Sequence, residues 1–192
     1  MRAQGEARRQ RILEVATEEF AARGFTGARI NRIAADAKAS KERLYAYFPD
    51  KGALFEAVVS AWAQEVTDKA NFDGSNVLEY TGRLFDVLAT SPQGSRLLAW
   101  LELERPSMIP TLLTPDGENK LEATRRAQAS GTIDPSWDPL ALVTVIIQIV
   151  RALVLLPISS PEDLTTRRNT AIEMVRRIID NDVHRQEPFP TS

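Results

Sequence analysis

Apolar residues recur at three- and four-residue intervals along nearly the whole chain of 192 residues. This spacing places them on one face of an α-helix, whereas a strand would alternate apolar and polar residues. The first example runs from Arg8 to Arg23, where one face carries Ile12, Val15, Ala16 and Phe20. Gly24 follows, at the point where a left-handed residue would end the helix. No strand pattern or internal repeat competes, so we predict an all-α fold.

Two short helices are predicted after this first one. The first spans residues 30–37, and the second spans residues 41–48. Ser40 is a good N-cap residue for the second helix, and Pro49 would end it. A long helix followed by two short helices and a brief turn between them is the arrangement of a helix-turn-helix unit.

The second short helix divides its residues between two faces. Leu44 and Phe48, four residues apart, are expected to pack inward. The rest of its surface carries donors that suit phosphate oxygens and base edges in the major groove, namely Lys41, Arg43, Tyr45 and Tyr47. Spacing alone leaves two interpretations open, a DNA-binding surface or an ordinary solvated helix face.

Charge and composition limit the classes of function. Residues 1–52 carry a net charge of +4 and the remainder −6, and a basic segment attracts polyanions such as nucleic acid or anionic lipid. The chain has no cysteine and one histidine, His184, which excludes a thiolate zinc site and leaves little material for histidine-based catalysis. We expect no metal, no cofactor and no enzyme activity. The amino terminus lacks the apolar stretch of an export signal, so we expect a cytoplasmic protein.

The segment from Gly24 to Val59 resembles the DNA-binding segment of the TetR family of transcriptional repressors. The shared features are a Gly-aromatic pair, an Ile-Ala pair, a Ser-initiated recognition helix and, most specifically, the run LYAYFPDK at residues 44–51. The resemblance implies an N-terminal three-helix helix-turn-helix domain, residues 1–51. It also implies a helical ligand-binding and dimerisation domain, residues 52–185, and we expect residues 186–192 to form a disordered tail.

The resemblance also implies which residues meet DNA. The matching positions on the second and third helices are Asn31, Arg32, Lys41, Glu42, Arg43, Tyr45 and Tyr47. Lys51, at the start of the following helix, matches a phosphate-contacting lysine.

Three positions depart from the family pattern. Lys38 replaces the usual glycine, so either the turn avoids positive φ or a lysine adopts it, and Lys38 is a further candidate phosphate contact. Arg29 replaces the Ser or Thr that caps the second helix, so Thr26 or water must compensate, and Arg29 itself is a candidate phosphate contact. Glu42 replaces a small residue, and it either accepts a bond from cytosine or discourages nonspecific binding.

The remaining chain is predicted to be helical. The candidate helices span residues 52–71, 76–90, 93–105, 118–130, 138–156 and 161–184, separated by proline and glycine signals. Asp138-Pro139 and Ser160-Pro161 each place a capping residue before a proline, so these two helix starts are the best marked.

The segment from Leu140 to Leu156 is almost entirely apolar, but Gln148 and Arg151 and its 17 residues argue against a membrane span. A helix that is apolar on nearly every side needs to be buried on nearly every side. The resemblance implies a homodimer formed through the last two helices, 138–156 and 161–184. The alternative is that both helices pack only within their own chain.

A cavity for a small-molecule effector is also implied by the resemblance. Its candidate lining residues are Trp62, Phe85, Trp100, Leu101, Met108 and Gln148. For each of them, packing in the core is the alternative role. Glu102 or Glu104 would select a cationic ligand if it faced the cavity, and otherwise both would be solvated.

These expectations together describe a homodimeric repressor that reads a palindromic operator in double-stranded DNA and is released by a small molecule. Two other classes stay open, an all-helical enzyme and a helical adaptor that binds another protein. The enzyme would show turnover, but no recognisable catalytic motif is present. The adaptor would show no salt-dependent affinity for DNA.

Overall fold

The computed structural model of the chain describes residues 2–156 and 161–179. Every regular element within these residues is helical. The helices are α1 (Arg2–Gly27, interrupted at Gly24), α2 (Ile30–Asp36), α3 (Lys41–Tyr47), α4 (Lys51–Lys69), α5 (Val77–Ala89), α6 (Pro92–Glu104), α7 (Ile109–Ala129), α8 (Pro139–Leu155) and α9 (Pro161–Ile179). One turn of 3-10 helix, Pro106–Met108, precedes α7. The predicted all-α fold is confirmed.

Two helices begin earlier than we expected. α1 begins at Arg2 rather than Arg8. Apart from Gly5, the residues before Arg8 have high helix propensity, so they extend the helix although they add no large apolar side chains at helical spacing. α7 begins at Ile109 rather than at residue 118. Pro110 lies in its first turn, where no amide donor is required, and the turn signal at residues 115–117 does not end the helix.

Three expectations fall outside the residues that the structure describes. They are the Ser160 cap, the end of the last helix at residues 180–184, and the tail at residues 186–192.

The chain divides into two compact units, which are described separately. The first contains the described residues within 1–65 and 91–114. Its core is formed where α1 packs against α2 and α6 and α2 packs against α3, with α4 adding residues to the same cluster. Its largest fully buried side chains include Phe20, Phe55, Leu44 and Leu101. The domain boundary that we expected after Lys51 concerns function rather than packing, and it stays a prediction.

The second unit contains the described residues within 66–90 and 115–179. Helices α5, α8 and α9 pack against one another in this unit. Phe85 on α5, Leu142 and Ile146 on α8, and Val175 on α9 are buried. Asp138 caps α8 as predicted, because its Oδ1 accepts a hydrogen bond from the amide of Ala141 at 2.8 Å.

A membrane span is not found in the part of the chain that the structure describes, since none of its helices combines enough length with enough apolar character.

Candidate nucleic-acid interface

The turn between α2 and α3 is built around a left-handed lysine. Lys38 has a φ of 53°, and its amide donates to the carbonyl of Ala35 at 3.0 Å. The amide of Ala39 donates to the carbonyl of Ala34 at 2.9 Å. These two bonds form the motif that usually places glycine at the left-handed position. Of our two alternatives for Lys38, positive φ at a residue other than glycine is therefore confirmed.

The recognition helix α3 begins with the predicted cap. The Ser40 hydroxyl accepts a hydrogen bond from the amide of Arg43 at 3.2 Å. Hydrogen bonds from its own main-chain amide and from Ser40 lower the pKa of the Glu42 carboxyl, and the nearby Lys41 ammonium adds to this effect. Glu42 is therefore a charged acceptor at the first turn of α3.

The two faces of α3 are arranged as the sequence predicted. Leu44 and Phe48 are buried in the core of the first unit. The exposed predicted DNA-binding side chains of α2, the turn and α3 are Arg29, Asn31, Arg32, Lys38, Lys41, Glu42, Arg43 and Tyr45. The Lys41 ammonium lies 5.9 Å from the centre of the Tyr45 ring. Helix α3 therefore presents a largely polar, mainly basic surface to solvent.

Tyr47 differs from the other predicted contacts, because its hydroxyl is used within the protein. The side chain is half-buried, and the hydroxyl donates to the carbonyl of Gly5 on α1 at 3.1 Å. This bond fixes the end of α3 to the start of α1. A phosphate would have to compete with Gly5 for the only hydroxyl proton.

The N-cap residue of α2 is held by a side chain that sequence reasoning missed. Arg29 occupies the N-cap position without a side-chain bond, as expected. The Glu19 carboxylate of α1 accepts from the Arg29 amide at 3.1 Å, and the compensation of the first-turn amides by Thr26 or water stays a prediction. Glu19 is only 8% exposed, and its carboxylate also lies 3.3 Å from Arg23 and 3.8 Å from Arg32. Its place on the apolar face of α1, four residues after Val15, was the available signal.

Lys51 points to the chain segment that leads into α2. Its ammonium donates to the carbonyls of Ala28 at 2.6 Å and Thr26 at 3.3 Å, and it lies 5.0 Å from the centre of the Phe25 ring. Burial lowers the pKa of Lys51, while the carboxylates of Glu104 and Glu19 oppose this shift. The phosphate contact implied for Lys51 stays a prediction.

Side chains at the end of α6 contact the residues at and just after Gly24, where α1 is interrupted. Gly24 has a φ of 71°, and a Cβ there would lie 2.8 Å from the Trp100 ring. The indole of Trp100 donates to the carbonyl of Ala21 at 3.3 Å. One oxygen of Glu104 accepts from the amides of Phe25 at 2.6 Å and Thr26 at 3.1 Å. Neither role that we considered for Glu104, ligand selection or simple solvation, describes this position, because its carboxylate caps main-chain amides.

The predicted effector residues occupy unlike environments. In the first unit, Leu101 is fully buried in the core and Met108 is half-buried against the same cluster. Trp62 packs so closely on Gly94 that a Cβ there would meet its indole nitrogen at 1.8 Å. In the second unit, Phe85 is buried, while Gln148 is exposed and accepts from Arg151 at 3.3 Å. Core packing describes Leu101 and Phe85, and the effector role of all six residues stays a prediction.

No metal-binding cluster is found within the described ranges, 2–156 and 161–179. No group of three His, Cys, Asp or Glu side chains there is arranged to hold an ion. His184 lies outside these ranges.

Two protein-family models match the chain. Residues 12–58 match the model described as "Bacterial regulatory proteins, tetR family". Residues 76–177, just over half of the chain, match the model described as "Tetracyclin repressor-like, C-terminal domain".

Individual proteins agree with these models. The chain is 40% identical over 99 residues to the HTH-type transcriptional repressor SCO4008 of Streptomyces coelicolor, and the match covers 52% of each protein, so it spans about half the length of that relative. A crystal structure of SCO4942 of Streptomyces coelicolor, described as a transcriptional regulator, is 34% identical with a TM-score of 0.75, covering 88% of this chain and 97% of that one. A TetR family transcription regulator from Marinobacter aquaeolei has the same fold, with 23% identity and a TM-score of 0.71, covering 90% and 97%.

The helix-turn-helix geometry, the two family models and the similarity to SCO4942 along nearly its whole length lead to one assignment. The chain belongs to the TetR family of bacterial regulatory proteins.

Proposed function

We propose that this chain is a sequence-specific DNA-binding transcriptional repressor in the cytoplasm, released from a palindromic operator by a small molecule. Its family places it with DNA-binding regulators rather than with enzymes. The observation that carries the proposal is the exposed basic face of α3, held by the buried Leu44 and Phe48 and by the Ser40 cap. Repression rather than activation is suggested by the relative SCO4008, whose name describes a repressor.

The proposed DNA contacts follow from the exposed side chains. Lys41 and Arg43 lie in the first turn of α3, the part of a recognition helix that contacts base edges. Arg29, Asn31, Arg32 and Lys38 are exposed near the start and end of α2, and they suit phosphate contacts. The charged Glu42 either accepts a hydrogen bond from cytosine N4 or discourages nonspecific binding.

A homodimer formed through α8 and α9 is the second part of the proposal. Large apolar side chains are exposed on both helices, namely Leu140, Val145, Leu155, Leu156 and Met174. A second copy of the chain would bury these side chains about a two-fold axis. Two recognition helices related by that axis would read the two halves of a palindrome in successive major grooves.

Effector release is the third part, and family membership supports it. A small molecule relieves repression only if it binds the non-operator conformation more tightly. A complete switch needs a preference of about 5.5 kcal/mol between the two states. The same six residues are proposed to line the effector site, and of these Leu101 and Phe85 are buried.

Selection of the purified protein on random duplex DNA tests the proposal, followed by a salt titration on the enriched sequence. We expect a palindrome whose log affinity falls with log salt by about 0.9 per phosphate neutralised. Arg43→Ala should change the base preference, whereas Arg125→Ala, which removes an exposed arginine of α7, should leave it unchanged. Failure to enrich any sequence, together with no salt dependence, would exclude the repressor and favour a protein-binding adaptor.

A further inference from the structure

We propose that Glu19, Lys51 and Glu104 are positioning residues for the segment Phe25–Arg29, and that Lys51 acts on DNA binding through this segment rather than by contacting phosphate. The segment leads directly into α2, which begins at Ile30. The inference rests on the proposed DNA-binding function.

The three side chains satisfy five main-chain groups of the segment. Glu104 accepts from the amides of Phe25 and Thr26, and Lys51 donates to the carbonyls of Thr26 and Ala28. Glu19 accepts from the amide of Arg29. Main-chain groups need partners, and beyond Gly24, where the regular helix of α1 is interrupted, charged side chains supply them.

The side chains come from three different helices of the first unit. Glu19 belongs to α1, Lys51 to α4 and Glu104 to α6. Because all three bond to one short segment, the start of α2 is fixed relative to each of these helices. Arg29, Asn31 and Arg32 follow that start, so their direction depends on it.

The Phe25 ring anchors the same segment. Its centre lies 5.4 Å from the Phe55 ring and 4.1 Å from the Arg105 guanidinium. The Lys51 ammonium lies 5.0 Å from the same centre. Lys51 therefore contacts both the ring and the main chain of the segment, with Glu104 and Glu19 near enough to favour its charged form.

These contacts argue against a phosphate role for Lys51. An ammonium that moved to a phosphate would leave two carbonyls without their donor and would give up its place over the Phe25 ring. An exposed phosphate candidate such as Lys38 carries no such cost.

The salt dependence of operator binding separates the two roles of Lys51. We expect Lys51→Met to weaken binding about tenfold or more with an unchanged slope of log affinity against log salt, because no phosphate contact is lost. Lys38→Met, the matched control at an exposed, proposed phosphate contact, should reduce the slope. A reduction of about 0.9 in Lys51→Met would show a phosphate contact and overturn the proposal.

Glu104 supplies an independent test of the same segment. Glu104→Ala should weaken operator binding with an unchanged slope, and Glu104→Gln, which keeps an acceptor oxygen, should lose less. The double variant Lys51→Met/Glu104→Ala should bind the operator nearly as tightly as whichever single variant binds it less tightly, because both changes release one segment. Additive losses, or wild-type affinity in both single variants, would contradict the proposal. Circular dichroism at the assay temperature establishes that each variant is folded.

If the proposed DNA-binding function is wrong, the wild-type protein will bind no duplex DNA. This outcome differs from every outcome that would contradict only the positioning proposal. In that case amide hydrogen exchange of Phe25, Thr26 and Arg29 tests the positioning role. Exchange should become faster in Lys51→Met than in Lys38→Met. Equal exchange in the two variants would overturn the role of Lys51.

Discussion

Lys38 combines a backbone cost with a charge at the proposed DNA surface. Its φ of 53° lies in the left-handed region, which costs an L-residue roughly 1–2 kcal/mol and costs glycine little. The exposed ammonium is a proposed phosphate contact. A lysine at this position therefore lowers the stability of the fold but adds a positive charge to the proposed DNA surface.

We predict that Lys38→Gly raises the free energy of unfolding by about 0.5–1 kcal/mol, after allowance for the greater freedom of glycine in the unfolded chain. Thermal denaturation should show a midpoint higher by about 2–4 °C per kcal/mol. Operator affinity should fall, with a smaller salt slope. Lys38→Ala, the matched control, removes the charge and keeps the backbone cost, so it should lose affinity without gaining stability.

Residues of the candidate interface differed in how well the sequence predicted them. Ser40, Leu44 and Phe48 were placed correctly, because their roles depend on residues three or four positions away. The roles of Glu19 and Glu104 were missed. Their main-chain partners lie 10 and 79 residues away, beyond the range of any local pattern.

Helix α3 has only seven residues, so its ends matter more than those of a long helix. The Ser40 hydroxyl satisfies one amide of the first turn, and the amide of Phe48 bonds to the carbonyl of Leu44 at the other end. The cap fixes the turn that carries Lys41, Glu42 and Arg43. In our proposal, the stability of this turn and DNA recognition are therefore linked.

We expect Ser40→Ala to destabilise the protein by about 1 kcal/mol and to weaken operator binding. Ser40→Asn is the control, because asparagine caps helices about as well as serine. Chemical denaturation and operator titration measure the two effects. Equal behaviour of the alanine and asparagine variants would show that the cap contributes nothing measurable.

Helix limits were predicted less well than helix identities. The proline and glycine signals at residues 110–117 predicted a break, yet α7 continues through them from Ile109 to Ala129. Pro110 lies in the first turn, where a proline costs a helix little, whereas Pro115 lies within the helix and removes one main-chain hydrogen bond. Local sequence signals indicate how much it costs to continue a helix, and the packing of the surrounding residues decides whether the helix continues.

At the scale of the whole molecule, the second unit leaves apolar surface on α8 and α9 exposed in a single chain. Val145 on α8 is 38% exposed and Met174 on α9 is 47% exposed. The near-continuous apolar sequence of α8 predicted a helix that needs more burial than one chain supplies. A homodimer supplies it in our proposal.

We predict that Val145→Glu weakens dimerisation roughly 100-fold, since an unpaired carboxylate would be buried in the interface. Sedimentation velocity over a range of concentrations measures the change. Leu103→Glu is the control, because Leu103 is 74% exposed on α6 in the first unit and should leave the mass unchanged. An unchanged dimer in Val145→Glu would place the interface elsewhere.

The sequence by itself determined the helical class, the helix-turn-helix unit, the caps at Ser40 and Asp138 and the buried face of α3. These features follow from side chains within one helical turn of each other. Tertiary structure alone decided that Glu19, Lys51 and Glu104 meet at the segment before α2. An unpaired main-chain amide donates to any suitable carboxylate and an unpaired carbonyl accepts from any suitable cation, and the packing of α1, α4 and α6 decides which side chain reaches it.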